Sequence, residues 1–291
     1  VTEATGRVDL KQASSKSRSA LVDGARDLCP ARRPAAPRAL MAPTERDDAI
    51  LRPFGSKHGV GCTALAGLGL GFVGGVHAAI AVYAAWGGST ALSAWSAYAF
   101  ALCFFHASEF LTTALFKPRD VSFDSWLLDH SLEYKLAALA SALEFWIERY
   151  FFPTLKQTFP ITMALGLCVV VLGNGVRMVA MWQCGENFSH VIMTSRDDKH
   201  KLVTDGVYAY LRHPAYFGWF WWSVGTQVLL SNPICFIGYF WASRAFFAHR
   251  IPYEEATLHH FYPVEYAAYV RRSRIGIPFI QFIPRTPTIH D

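Results

Sequence analysis

The sequence predicts an all-α integral membrane protein with about six transmembrane helices, and three observations carry that prediction. Of the 291 residues, 52% are hydrophobic and only 17% charged, against about 25% charged in a typical soluble domain. The apolar residues are also concentrated: residues 1–58 are polar and rich in Arg, Pro, Ala and Ser, and most of the remaining chain is long apolar runs between short charged loops. Basic residues, finally, segregate to alternate loops. This pattern excludes an ordinary soluble globular domain, a wholly disordered chain, a collagen-like repeat and a secreted disulfide scaffold. The six Cys (29, 62, 103, 168, 184 and 235) lie far apart, four of them inside apolar runs, which reads as free thiols in a reducing compartment.

Residues 1–50, with low hydrophobicity and scattered Arg and Pro, are expected to be disordered, and no apolar core follows their charges to make a signal peptide. Counting Asp, Glu, Lys, Arg and His, the run 60–86 holds one His, 91–116 holds only His106 and Glu109, 160–182 holds only Arg177, and 214–231 holds none. Each is close to the roughly 20 residues needed to cross about 30 Å of hydrocarbon. The run 132–152 carries Glu133, Lys135, Glu144, Glu148 and Arg149, mostly near its ends, and is also read as a span. The last run, 234–249, follows 214–231 across the Ser231-Asn232-Pro233 turn and pairs with it as a helical hairpin.

Basic residues stay on the cytosolic side of short loops. With the N-terminus inside, the inner loops hold 22 of the 27 Lys and Arg, and the outer loops hold one, Lys156. Both termini are therefore expected in the cytosol. The polar segments 183–213 and 250–291 share that side, and the chemistry is expected there. The sequon Asn187-Phe188-Ser189 faces the cytosol in this topology and is not expected to be glycosylated.

Several patterns have a plainer explanation than a site. GLGFVG (69–74) spells the dinucleotide fingerprint but lacks the strand before it and the acidic residue after it. The small residues at 67, 71 and 75 are read instead as one helix face that permits close helix approach. No C-x-x-C or H-x-x-x-H occurs, so no metal site is expected. His106 and Glu109, at i and i+3, share a helix face and are read as a structural pair satisfied by interhelical hydrogen bonds, with part of a site as the alternative. Arg244 is read as snorkelling to the interface. Arg177 is followed by Met, Val and Ala, so a buried anion accounts for it better.

The densest polar constellation is HKLVTDGVYAYLRHPAYFG, residues 200–218. Its Arg212-His213-Pro214-x-Tyr216-x-Gly218, followed about 40 residues on by Glu254-Glu255-x-x-Leu258, resembles the cofactor-binding signature of isoprenylcysteine carboxyl methyltransferases. HASEFL (106–111), LLDHSLEYKLAALASALEF (127–145) and the run from Tyr210 to Phe240 also look like that family's segments, and the resemblance covers roughly 91–283.

The resemblance implies a multi-pass endoplasmic-reticulum enzyme that moves a methyl group from S-adenosylmethionine to the C-terminal carboxylate of a farnesyl- or geranylgeranyl-cysteine. Its protein partners would be CaaX-processed chains of the small-GTPase and lamin type, with membrane lipid around it and no nucleic acid. It also implies a cytosolic-side cofactor pocket formed by the C-terminal helices and loops. The cofactor residues would be Met193, His200, Lys201, Leu202, Val203, Tyr208, His213, Pro214, Ala215, Tyr216 and Glu254, and the catalytic, substrate-binding residues Arg177 and Arg250. The organisation then reads as an extension (1–58), helices one to four (59–183), a catalytic part made of cofactor loop, hairpin and C-terminal segment (184–283), and a tail (284–291). Family members carry further N-terminal spans where this chain has a polar tail, and Pro252, between Arg250 and Glu254, is a point where the helix is expected to break. A phospholipid-amine methyltransferase and an NADPH-dependent sterol reductase with a related core are the alternatives. The first would not want two Arg at its acceptor, and the second would need more basic residues for a 2′-phosphate.

The residue chemistry agrees. Methyl transfer from a sulfonium to a carboxylate needs no general base, because the acceptor is already ionised near pH 7. Two Arg can orient it bidentately, and Pro214 is expected to start the fifth helix with its free N–H groups near the pocket.

Overall fold

A computed structural model describes residues 52–55, 59–129, 131–157, 160–193 and 201–280. The expected disorder of 1–50, the tail 284–291 and the cofactor candidate His200 lie outside the described residues. The fold is helical: α1 (Val60–Trp86), α2 (Thr90–Phe116), α3 (Leu132–Phe151), the short α4 (Pro153–Gln157), α5 (Pro160–Cys184), α6 (Pro214–Leu230), α7 (Pro233–Phe261) and α8 (Pro263–Arg272). Among the described residues no strand occurs, and the extended pairing found is a bridge between Leu211 and Arg274. Three segments, α1, α2 and Pro160–Asn187, are long and apolar enough to cross a membrane.

The α1–α2 hairpin turns through Gly88, whose φ of 74° favours glycine. The small-residue face expected at 67, 71 and 75 is not the contact. A Cβ at Gly67 would meet Trp126 at 3.0 Å and one at Gly74 would meet Cys103 at 3.1 Å, whereas Gly71 and Gly75 have nothing within 4 Å. Positions seven apart drift only about 20° round a helix, so 67 and 74 share a face that 71 and 75 leave.

The tightest packing is between α5 and α6. A Cβ at Gly166 would lie 2.1 Å from the Leu229 nitrogen, and one at Gly173 would lie 2.6 Å from the Trp222 nitrogen. From the other side, a Cβ at Gly218 would lie 2.5 Å from the Gly173 oxygen and one at Gly225 3.0 Å from the Val170 nitrogen. These glycines recur at seven-residue spacing on two antiparallel helices, so the backbones touch without intervening side chains. Most of α6 is buried as a result, with Phe220, Trp222 and Leu229 at 2% exposure or less. The seam fixes the register that carries Arg177, one turn beyond Gly173, to the first turn of α6.

The expected α6–α7 hairpin forms, with Ser231 in the left-handed region (φ 53°) and Pro233 in the first turn of α7. The charges of α3 serve this turn. Glu144 accepts hydrogen bonds from the Ile234 and Cys235 nitrogens at 2.7 and 2.6 Å, satisfying free N–H groups at the start of α7. Lys156 is not a free loop charge but a buried cap: its Nζ donates to the Leu230 and Ser231 oxygens and to Asn232 Oδ1, and pairs with Glu148.

The break expected at Pro252 does not occur. The helix α7 runs unbroken from Pro233 to Phe261, well past the 249 boundary of the expected span. Proline removes one intrahelical hydrogen bond, and the burial of Phe247 (2%), Ile251 (0%) and Glu255 (0%) on either side holds the helix through that gap. Arg250 and Glu254 therefore sit one turn apart on one helix face.

Candidate active site

A cavity opens where the residues after α5, the segment 201–216, the C-terminal half of α7 and α8 converge. Gly206 starts the turn that enters it (φ 57°); a Cβ there would strike the Gln183 side chain, whose Oε1 accepts from Val207 N at 2.9 Å. Tyr208 is then held at both ends. Its phenol donates to the Ala180 oxygen at 3.2 Å, and its carbonyl accepts from the Tyr269 phenol at 2.6 Å. Burial pushes the Tyr208 hydroxyl well above its ordinary pKa, so it stays a neutral donor.

Arg212 and His213 lock this segment to α7. Arg212 Nε donates to Glu255 Oε1 at 2.8 Å and its Nη1 to the Ser273 oxygen at 2.6 Å, while His213 Nε2 lies 3.1 Å from the same carboxylate oxygen. Burial alone would raise Glu255, but hydrogen bonds and charge from His213 and Arg212 hold it below the ordinary carboxylate range. Pro214 occupies the first turn of α6, as expected, after His213 at the cap.

The first turn of α6 meets both expected substrate arginines. The Tyr216 phenol accepts from Arg250 Nε at 2.8 Å and donates to Glu254 Oε2 at 2.5 Å, so one hydroxyl links the two. Arg250 Nη2 also reaches the His190 carbonyl at 2.5 Å, and its guanidinium lies over the Tyr216 and Phe246 rings. Arg177, 5% exposed, donates from Nη1 to the Ala215 oxygen at 3.1 Å. The buried anion that the sequence calls for is Glu109, 0% exposed, which takes hydrogen bonds from Arg177 Nε and, at 2.8 Å, from Nη2. The bonds expected from His106 and Glu109 to other segments form, each to its own partners. His106 Nδ1 lies 2.8 Å from the Trp126 oxygen and its Nε2 3.2 Å from the Tyr134 phenol, and the guanidinium claims the carboxylate. Arg244 Nη2 donates to the Phe279 oxygen at 2.9 Å.

Of the expected cofactor residues, Met193, Lys201, Leu202, Val203, Tyr208, His213, Pro214, Ala215, Tyr216 and Glu254 line the cavity. Arg177 and Arg250 do not line it but bond to Ala215 and Tyr216, which do. The sequence reading missed the aromatic wall of Tyr262, Tyr266 and Tyr269. Its signal was an i, i+4, i+7 aromatic stripe around α8, which also buries these rings as a core cluster. The Tyr216 ring already has aromatic neighbours: His213 lies parallel to it at 5.5 Å and Phe247 lies 5.1 Å away. Tyr266 is buried, and its phenol has no hydrogen-bond partner among the described residues. Among those residues, no cluster of His, Cys, Asp and Glu could hold a metal ion.

Comparison with known proteins gives one consistent match. The family model for the isoprenylcysteine carboxyl methyltransferase (ICMT) family matches residues 164–260. The protein-S-isoprenylcysteine O-methyltransferases of Xenopus laevis and Homo sapiens are each 48% identical, over 190 and 192 residues, covering 65% of this chain and 66% and 67% of theirs. That of Dictyostelium discoideum is 46% identical over 192 residues, covering 66% of this chain and 80% of its own. The chain thus matches about two thirds of the length of the vertebrate relatives. A solved structure of the eukaryotic intramembrane Ras methyltransferase ICMT superposes with a TM-score of 0.67 at 41% identity, covering 72% of this chain and 74% of that one.

Proposed function

Because the chain belongs to the isoprenylcysteine carboxyl methyltransferase family, we propose that it methylates the C-terminal carboxylate of farnesyl- or geranylgeranyl-cysteine, with S-adenosylmethionine as donor. The observation that carries this reading is the first turn of α6: Ala215 and Tyr216 line the cavity, and each is bonded by an arginine, Arg177 from an otherwise apolar run and Arg250 from α7. The cavity's chemistry fits the donor. Its aromatic walls suit a purine, Glu254 can accept from amino or ribose groups, and the Tyr266 phenol, without a partner among the described residues, is a buried donor that a ligand acceptor would satisfy. When bound, S-adenosylmethionine supplies an electrophilic methyl on a sulfonium.

The protein's own residues do the rest. Met193, His200, Lys201 to Val203, Tyr208, His213 to Tyr216 and Glu254 hold the donor. Arg177 and Arg250, both held at the first turn of α6, orient the acceptor carboxylate. No residue needs to remove a proton, so positioning and exclusion of water are the work of the site. The bidentate Arg177–Glu109 pair and the Arg250–Tyr216–Glu254 chain supply rigid positions.

At the finer level, we infer six spans, made by α1, α2, α3, α5, α6 and residues 234–249 of α7, with both termini and the cavity, including the later turns of α7, on the cytosolic side of the endoplasmic reticulum. The segregation of Lys and Arg supports this. Prenylated small GTPases and lamins, the CaaX-processed chains, are the proposed substrates. The test is tritiated methyl transfer from S-adenosylmethionine by the purified protein in vesicles, offering N-acetyl-S-farnesylcysteine and phosphatidylethanolamine together. Label in the prenylcysteine is expected; label confined to the phospholipid would overturn the reading.

A further inference from the structure

Glu109 is the most deeply buried carboxylate that touches the acceptor side of the site, and the sequence motifs give it no role. It sits on α2 at 0% exposure, and both of its oxygens are engaged: Oε1 and Oε2 accept from Arg177 Nε and Nη2, and His190 Nε2 lies 3.6 Å from Oε2. His190 in turn offers its carbonyl to Arg250. A single carboxylate thus stands between the two arginines assigned to the acceptor, touching one directly and the other through one residue.

This arrangement has a consequence for the reaction. A lone buried guanidinium beside a reacting carboxylate would bind it tightly and draw electron density from the oxygen that must attack. Because the carboxylate loses its charge as it attacks, binding of that kind stabilises the ground state more than the transition state and slows the step. Arg177 does not meet the acceptor as a lone cation, because Glu109 already neutralises it in a forked, charge-assisted pair. Two of its five N–H groups are bonded to Glu109 and one to the Ala215 carbonyl, so the remaining N–H groups can orient an incoming oxygen without an uncompensated charge behind them.

We propose that Glu109 is a positioning residue for the methyl transfer: it fixes the Arg177 guanidinium against the first turn of α6 and offsets its charge, so that the acceptor carboxylate is oriented yet stays nucleophilic. The proposal rests on the functional reading above. It assigns Glu109 no contact with the substrate and no proton transfer. His190 supports the same carboxylate from the loop that borders the cavity.

The test compares wild type with Glu109→Gln, Glu109→Asp and His190→Ala in the tritiated methyl assay on N-acetyl-S-farnesylcysteine, at equal amounts of folded protein. Affinity for S-adenosylhomocysteine is measured by calorimetry alongside. Glu109→Gln removes the compensating charge but keeps the shape, and is expected to lower kcat at least 10-fold while lowering KM for the prenylcysteine. A merely structural role would move neither constant per folded molecule. Should Glu109→Gln not fold, Glu109→Asp retains the charge but shortens the fork, and is expected to lower kcat with cofactor affinity unchanged. His190→Ala, at a partly exposed position, is expected to lower kcat several-fold in the same direction. Wild-type kcat and KM in the folded Glu109 variants would overturn the proposal. If the wild type itself fails to methylate the prenylcysteine, the functional reading fails instead.

Discussion

Arg177 and Arg250 carry the same charge but sit in different electrostatic settings, and that separates what their loss should do. Arg250 is half-buried and bonds to a phenol and a carbonyl, so Arg250→Ala strands no buried charge. Its expected effect is on catalysis: turnover should fall on the order of 100-fold, the scale of lost orientation at a reacting group, with S-adenosylhomocysteine affinity retained. Arg177→Ala would leave Glu109 buried with its forked guanidinium partner gone and His190 alone 3.6 Å away, so it should also cost up to about 3–5 kcal/mol of stability, read from denaturation in detergent. On the cofactor side, Tyr208→Ala, His213→Ala and Glu254→Ala should each weaken S-adenosylhomocysteine binding by calorimetry; unchanged affinity in all three would move the cofactor elsewhere. The sequence exposes Arg177 because a charge in an apolar run demands an anion. It does not expose Glu109 as that anion, because the pair joins positions 68 apart across two helices and nothing in the local pattern says which helix Glu109 meets.

Two helix contacts decide whether the site is assembled. The α5–α6 seam leaves no room for a side chain, so Gly166→Ala and Gly173→Ala should destabilise by about 1–3 kcal/mol or more and lower activity with it. Gly71→Ala and Gly75→Ala point into open space and should stay within about 0.5 kcal/mol of wild type. A thermal scan of the four variants checks the contrast. Reading the sequence for small residues four apart selects the wrong set, because the operative glycines repeat at seven and on two different helices. The second contact is Arg212–Glu255–His213, which ties segment 201–216 to α7. Since the folded state holds Glu255 below the ordinary carboxylate range, the contribution of this carboxylate is present above that range and is lost as pH falls through the lowered value. The stability gap between wild type and Glu255→Gln should therefore close on acidification. The hairpin turn and the Pro214 start were legible from Pro and polar punctuation, whereas the continuity of α7 through Pro252 was not, because burial on both sides of the proline overrides its local penalty.

For the molecule as a whole, the helical class and the membrane character arise from apolar runs that any fold would have to bury or give to lipid, and α1 shows the second outcome, with 6% of its most apolar window buried. The cavity, by contrast, is assembled from four separate parts of the chain, and only a motif could have named its residues in advance. The whole-molecule account also predicts the route of the substrate. A farnesyl group of 15 carbons gains up to about 12 kcal/mol on leaving water at about 0.8 kcal/mol per buried methylene, so it is already in the bilayer and should reach the site laterally between helices. Single cysteines along the lipid-facing helix seams of a cysteine-free variant, capped with a bulky thiol reagent, should block prenylcysteine methylation at some seam position while leaving cofactor binding intact. Inhibition confined to water-exposed positions would contradict lateral entry. The central claim, that this site methylates a prenylcysteine carboxylate, is tested most directly by the product formed from N-acetyl-S-farnesylcysteine and from its carboxamide under the purified, vesicle-embedded protein and S-adenosylmethionine. A base-labile methyl ester on the carboxylate and no methylation of the carboxamide is the predicted result, and an unmodified carboxylate under turnover conditions would contradict it.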